Sequence, residues 1–160
     1  MKSLNLNTKI LVYNDVEASE SIKKLIKFAK NATKNAYAPY SHFQVGAAVM
    51  LTNGEIMTGS NQENAAYPSG LCAERVALFN ANAQYPNTAV EVIAIAAFHD
   101  GEFTDVPCCP CGGCRQVIVE AENRFDKAIK MIMYGKSKIY EVESVKVLLP
   151  LSFGKESLSE

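Results

Sequence analysis

The sequence has almost no net charge, with 16 Lys plus Arg against 17 Asp plus Glu in 160 residues. Such a surface field neither concentrates a polyanion nor repels one, so a small ligand is expected and a nucleic-acid polymer is not. Long apolar runs are also missing, since no segment approaches the ~18 residues of a membrane span. The start, Met1 to Ile10, alternates polar and apolar residues and has no basic stretch leading into an apolar one. The chain therefore reads as cytoplasmic, with no membrane partner. Histidine is scarce, and neither of its two copies, His42 and His99, stands at a metal-ligand position, so both read as non-functional. Cysteine is present in an odd number, five, and four of these crowd into Cys108 to Cys114. That usage excludes a simple disulfide framework and favours a reduced compartment with metal or thiol chemistry. No internal repeat or linker divides the chain. With 48% hydrophobic residues it fits a single domain over 1–160, of which residues 1–15 are an N-terminal extension.

Hydrophobic periodicity sets out the elements. Ser3 to Tyr13 alternates like an extra strand, and Asn14 or Asp15 is placed to cap a helix from about Val16 to Ala36. Its inner face carries Ile22, Leu25, Ile26, Ala29, Thr33 and Ala36, while Lys23, Lys27, Lys30 and Lys34 line a solvated side. Ala38-Pro39-Tyr40-Ser41 breaks that helix. Phe43 to Leu51 and Glu55 to Ser60 read as strands joined around Asn53-Gly54, a strong hairpin signal. Helical spacing returns at Cys72 to Ala83 and at Cys111 to Glu122, on either side of the near-continuous apolar strand Val90 to Phe98. Short strands at Lys130 to Tyr134 and Ile139 to Val142 and a helical turn at Ser144 to Leu149 complete the chain. The total is an α/β layered domain with a mixed central sheet.

Cys111-Gly112-Gly113-Cys114 opens a predicted helix, where two thiolates three residues apart can grip one metal and free backbone N–H groups favour their charge. Alone it is ambiguous, because structural zinc sites, dithiol redox centres and iron–sulfur proteins share C-x-x-C. Cys108, Cys111 and Cys114 even reproduce C-x-x-C-x-x-C, although Ile118 stands where a fourth iron–sulfur cysteine belongs. A non-catalytic zinc or dithiol binding module is the other reading. Cys72-Ala73-Glu74, also at a helix start, adds a third thiol and a carboxylate. Three protein ligands with an open fourth position characterise a catalytic zinc site, whereas structural sites close all four. Cys108 and Cys109 are left as bystander thiols near the site.

Cys72-Ala73-Glu74 followed by Pro110-Cys111-Gly112-Gly113-Cys114 matches the known pattern of zinc nucleobase deaminases, a ligand, one residue, a non-ligating Glu, then P-C-x-x-C. With Ala38-Pro39-Tyr40-Ser41, Phe43-Gln44-Val45-Gly46-Ala47, Asn61 to Tyr67, Cys72 to Arg75 and Pro110 to Gln116, the chain resembles the small homotetrameric cytidine deaminases. The likeness runs over roughly Ala38 to Gln116, with a weaker echo at Leu148 to Phe153. Gly113 stands where Ala is usual, which loosens the turn without removing a ligand.

The resemblance implies a three-layer α/β/α cytidine-deaminase-like domain with a central mixed five-stranded sheet. It implies hydrolytic deamination of cytidine and deoxycytidine, with one zinc per subunit held by Cys72, Cys111 and Cys114. Glu74 would move the protons. Asn61 and Glu63 would bind the ribose hydroxyls, and Phe43 would pack against the nucleoside. Ala65 and Ala73 would offer backbone hydrogen bonds, and Tyr67 completes the substrate-binding set. Phe153 would enter a neighbouring subunit's site in a homotetramer. Three thiolates around a dication leave a net −1, so Arg75, beside the first ligand, is expected to donate to sulfur and offset that charge. The Asn61 to Tyr67 segment points to a free nucleoside, although relatives of the same architecture acting on a nucleoside antibiotic or on a base within a polynucleotide remain alternatives.

Overall fold

The structure is a computed structural model and describes residues 1–158. Three helices, α1 (Glu20–Ala32), α2 (Ala73–Gln84) and α3 (Gly112–Phe125), pack with seven strands. The strands are β1 (Leu11–Tyr13), β2 (Gln44–Leu51), β3 (Ile56–Ser60), β4 (Val90–His99), β5 (Glu102–Phe103), β6 (Lys130–Tyr134) and β7 (Ile139–Val142). All belong to one sheet in the order β1-β7-β6-β4-β2-β3, with β5 paired to the end of β4. The expected sheet of five strands is thus corrected to seven. Two pairings account for the difference: the N-terminal extension joins the sheet by laying β1 antiparallel along β7, and a two-residue turn at Asp100-Gly101 folds β5 back onto Phe98 and His99. Both turn residues have positive φ, 52° and 85°, as a tight hairpin of this kind requires.

Hairpin β2–β3 forms where Asn53-Gly54 called for it; Gly54 takes φ 87° and the Asn53 side chain accepts from the Glu55 N–H. Only β4 and β6 run parallel as adjacent strands, and α3 supplies the crossover between them. Because β3 and β4 are both antiparallel to β2, they also run in the same direction, and α2 is their crossover. Both helices therefore start beyond the same end of the sheet, with Cys72 and Cys111 as their N-cap residues.

Buried side chains sort by strand parity into two clusters, as alternation along a pleated strand requires. Ala47, Val49, Ile93, Ile95, Met131 and Met133 join α2 and α3 through Ala77, Leu78, Ile118 and Val119. Ala48, Val92, Ala94, Ala96 and Ile132 join α1 through Leu25, Ile26 and Ala29. The α1 inner face is as expected apart from its ends. Its start is displaced, because Asn14 caps a turn of its own at Val16 and Ser19, accepting from the Ile22 N–H, is the true cap. Among the described residues no helix is long and apolar enough to cross a membrane.

Candidate active site

Three sulfurs meet where α2 and α3 begin. Cys72 and Cys111 are the N-caps, and Cys114 lies in the first turn of α3. Their Sγ atoms all lie within 4.8 Å of one another, and Cys72 and Cys111 are 3.7 Å apart. Thiolates held at ~2.3 Å by a tetrahedral zinc would stand ~3.8 Å apart, so the donor set fits that ion in number, chemistry and spacing. Among the described residues no fourth His, Cys, Asp or Glu joins this cluster, which leaves one coordination position free of protein. Both helix N-termini direct partial positive charge at the sulfurs.

Arg75 lies beside the cluster. Its Nη2 donates to the Gly70 carbonyl at 3.3 Å and to Cys72 Sγ at 3.9 Å, while its buried Nε has no hydrogen-bond partner. A guanidinium kept beside sulfur with a donor to spare is what an anionic thiolate cluster demands. Without metal, three adjacent thiols cannot all ionise. Cys72 takes the negative charge, its pKa brought down to about 5 chiefly by the hydrogen bond from Cys114 and next by Arg75. Cys114, as the donor in that bond, holds its proton and is pushed up.

Glu74 lies 5% exposed in the first turn of α2. Burial raises its pKa, and the charge of Cys72 adds to the rise. It lines a cavity of about 610 Å³ together with Cys72, Cys111, Asn61, Glu63, Tyr67, Ala73 and Arg75. That volume falls in the ~300–1,000 Å³ range of small-molecule sites. Cys108 and Cys109, read as bystanders, also line it, and burial holds the Cys108 thiol neutral with a pKa pushed up to about 12.

Asn61 and Glu63 are engaged by the chain as well as by the cavity. Asn61 Oδ1 accepts from the Val45 N–H at 2.7 Å, and its Nδ2 donates to the Phe43 carbonyl at 2.9 Å. The Glu63 carboxylate accepts from the Tyr40 N–H at 2.9 Å, the Ser41 N–H at 3.3 Å and the Ser41 hydroxyl. These bonds, the Ser41 hydroxyl first, hold Glu63 below the usual carboxylate range. Phe43, Ala65 and Phe153 are not part of the cavity lining. Phe43 rests against His99, ring centroids 5.5 Å apart, and Phe153 is exposed, its carbonyl accepting from Gln116 Nε2. Sequence reasoning overlooked Ser41 and Tyr40 as site residues, because no local pattern links them to a carboxylate 22 positions on.

The sheet, the paired helix starts and the sulfur cluster define a metal-binding α/β protein built around a small-molecule cavity. Comparison with known proteins sharpens that class. Residues 19–131 match the cytidine and deoxycytidylate deaminase zinc-binding region. A cytidine deaminase of Halalkalibacterium halodurans is 42% identical over 136 residues, covering 85% of this chain and 96% of that one. A cytidine deaminase of Mycobacterium tuberculosis is 39% identical over 133 residues, covering 81% and 87%. The crystal structure of cytidine deaminase from Burkholderia pseudomallei superposes with a TM-score of 0.71 at 36% identity, over 82% of this chain and 98% of that one. The chain belongs to the cytidine and deoxycytidylate deaminase family.

Proposed function

We propose that this chain is a cytidine deaminase, hydrolysing cytidine and deoxycytidine to uridine and deoxyuridine with release of ammonia. One observation carries the reading. A three-cysteine cluster with no fourth protein ligand among the described residues sits beside a buried carboxyl in a nucleoside-sized cavity. Cys72, Cys111 and Cys114 would hold zinc, which when bound would supply the Lewis acidity that eases ionisation of water at neutral pH. Glu74 accepts the proton of the water that attacks C4 of the pyrimidine and delivers it to N3. It then carries the second proton of that water to the exocyclic nitrogen, the C4–N bond breaks, and ammonia leaves. A raised carboxyl pKa suits a group that must take up and release protons near neutrality. Arg75 offsets the thiolate charge.

Asn61 and Glu63 hold the sugar hydroxyls, Tyr67 flanks them, and the Ala73 backbone meets the base; the shared cavity lining supports this set. Phe43 packs on the nucleoside from beyond Asn61, to which its carbonyl is bonded, and Ala65 offers its backbone from the adjoining loop. The exposed Phe153 enters a neighbour's cavity in a homotetramer; light scattering of the purified protein tests that assembly. A free nucleoside is favoured over a nucleotide or a polymer, since the lining carries Glu63 and Glu74 against the single cation Arg75, already turned to sulfur. Two core clusters on opposite strand parities support a three-layer α/β/α arrangement, and one shared sheet supports a single domain. Five unpaired cysteines support a cytoplasmic location.

An ultraviolet assay with cytidine, deoxycytidine, cytosine, deoxycytidylate and adenosine, with and without a zinc chelator, tests reaction, substrate class and metal together. The two nucleosides should be turned over only with metal present. Chelator-insensitive turnover, or none on either nucleoside, would overturn the reading.

A further inference from the structure

The Glu63 carboxylate is held more tightly than a rim residue needs. A carboxylate offers about four acceptor positions, and here three are filled from one short segment. Oε2 takes the Tyr40 and Ser41 N–H groups, and Oε1 takes the Ser41 hydroxyl. The remaining position is therefore on Oε1, the oxygen that Ser41 holds. Ser41 Oγ in turn accepts from the Phe43 N–H at 3.0 Å, and the same segment is pinned through Phe43 and Val45 to the Asn61 side chain. A relay thus runs from the Phe43 backbone through the Ser41 hydroxyl to the free face of Glu63, with Ser41 and Glu63 both lining the cavity.

We propose that Ser41 is a positioning residue for the sugar: its hydroxyl orients the Glu63 carboxylate so that the one unfilled acceptor position meets a ribose hydroxyl, and it thereby sets nucleoside affinity without acting on the pyrimidine chemistry. The proposal rests on the reading of Glu63 as a sugar contact. Its physical basis is preorganisation, because an acceptor already fixed by three donors loses little conformational freedom when the fourth arrives. The lowered pKa of Glu63 agrees, since the donors that orient the group also keep it ionised and accepting.

The test compares inhibition by the product uridine with inhibition by 2′,3′-dideoxyuridine, which lacks the two ring hydroxyls at C2′ and C3′ that the proposal assigns to Glu63. In Ser41→Ala, the uridine inhibition constant and the cytidine KM should rise about tenfold, as loss of one charge-assisted contact implies. Dideoxyuridine inhibition and kcat should change by less than about twofold, and Ser41→Thr, which keeps the hydroxyl, should restore uridine binding. In a Glu63→Gln background, Ser41→Ala should add less than about twofold. Equal weakening of both products, no weakening of uridine, or full additivity with Glu63→Gln would each overturn the proposal. Wild-type protein that binds both products equally would overturn the sugar reading of Glu63 itself, and this result is recognisable because it needs no substitution.

Discussion

Glu74 and Glu63 face one cavity with opposite titration behaviour. Burial puts the folded pKa of Glu74 above its ordinary value of 4.5. Such a group supports the native state fully below that value and loses the support as pH rises through the folded pKa. Above that value, then, burial of Glu74 costs the metal-free protein stability. Glu74→Gln should bind zinc at full stoichiometry and lose about 10²–10⁴-fold in kcat. It should also raise the Tm of the metal-free form by about 3 °C, the shift expected of ~1 kcal/mol in a domain of this size. Wild-type turnover would remove Glu74 from the proton-carrying role, and a lower Tm would remove the burial cost assigned to its carboxyl. Glu63 runs the other way, its folded pKa lying below 4.5. A depressed carboxylate keeps its contribution above the unfolded value and loses it as pH falls through the folded one. The cytidine KM should accordingly be flat on the acid side from neutrality to pH 5 insofar as Glu63 sets it, and should rise only below the ordinary carboxylate range. Arg75→Ala should weaken zinc retention, by about tenfold when a partner of a ligand is lost, because it removes the cation beside Cys72; competition with a chromophoric chelator measures this.

At the scale of elements, α2 is seated by a glycine. A Cβ on Gly59 of β3 would come within 2.3 Å of the Ala77 nitrogen and 2.7 Å of the Ala73 carbonyl oxygen, backbone atoms that cannot step aside. Gly59→Ala should cost about 3 kcal/mol or more as overpacking, and by pushing α2 outward should separate Cys72 from Cys111 and lower zinc affinity. Gly54→Ala is the contrast. That position has open space but φ 87°, so it should cost about 1 kcal/mol in backbone strain and leave zinc binding unchanged. Much of this element scale was legible beforehand. Strong periodicity placed the three helices, the β2–β3 hairpin and the final strands, and the Cys72, Cys111 and Cys114 cluster was readable because each sulfur is local to a helix start. One strand was missed, and the expected Ser3–Tyr13 strand is real only over Leu11–Tyr13, with a partner that could not be read. A two-residue β5 has no periodicity to detect, although Asp100-Gly101 was a visible turn signal, and the pairing of β1 with β7 joins positions some 128 apart, Val12 to Tyr140. The α1 start was misplaced because Asn14 and Ser19 are both good caps, and only packing chooses between them. Contacts such as Ser41 to Glu63 and Phe43 to His99 are made through space and leave no spacing to read.

Across the whole molecule, the sheet is the stable frame and the site is hung from its end. β2 and β4, with Ala47 and Ile95 fully buried, anchor both core clusters and contribute none of the three metal-ligating cysteines. Removing zinc should leave amide exchange in these strands nearly unchanged while it speeds exchange in the first turns of α2 and α3. Uniform protection loss across the sheet would show instead that the ion is needed for the fold. The sulfurs that meet at this point come from two separate crossovers, at positions 72 and 111. An ion gripped by both would therefore close a ring of chain in the folded state and stabilise it by binding only where folding has assembled the three sulfurs. The reagent for the chemistry is then also a reversible clasp. Cells short of the ion would hold a protein whose two helix starts loosen while its packed frame endures, ready to be refastened when supply returns.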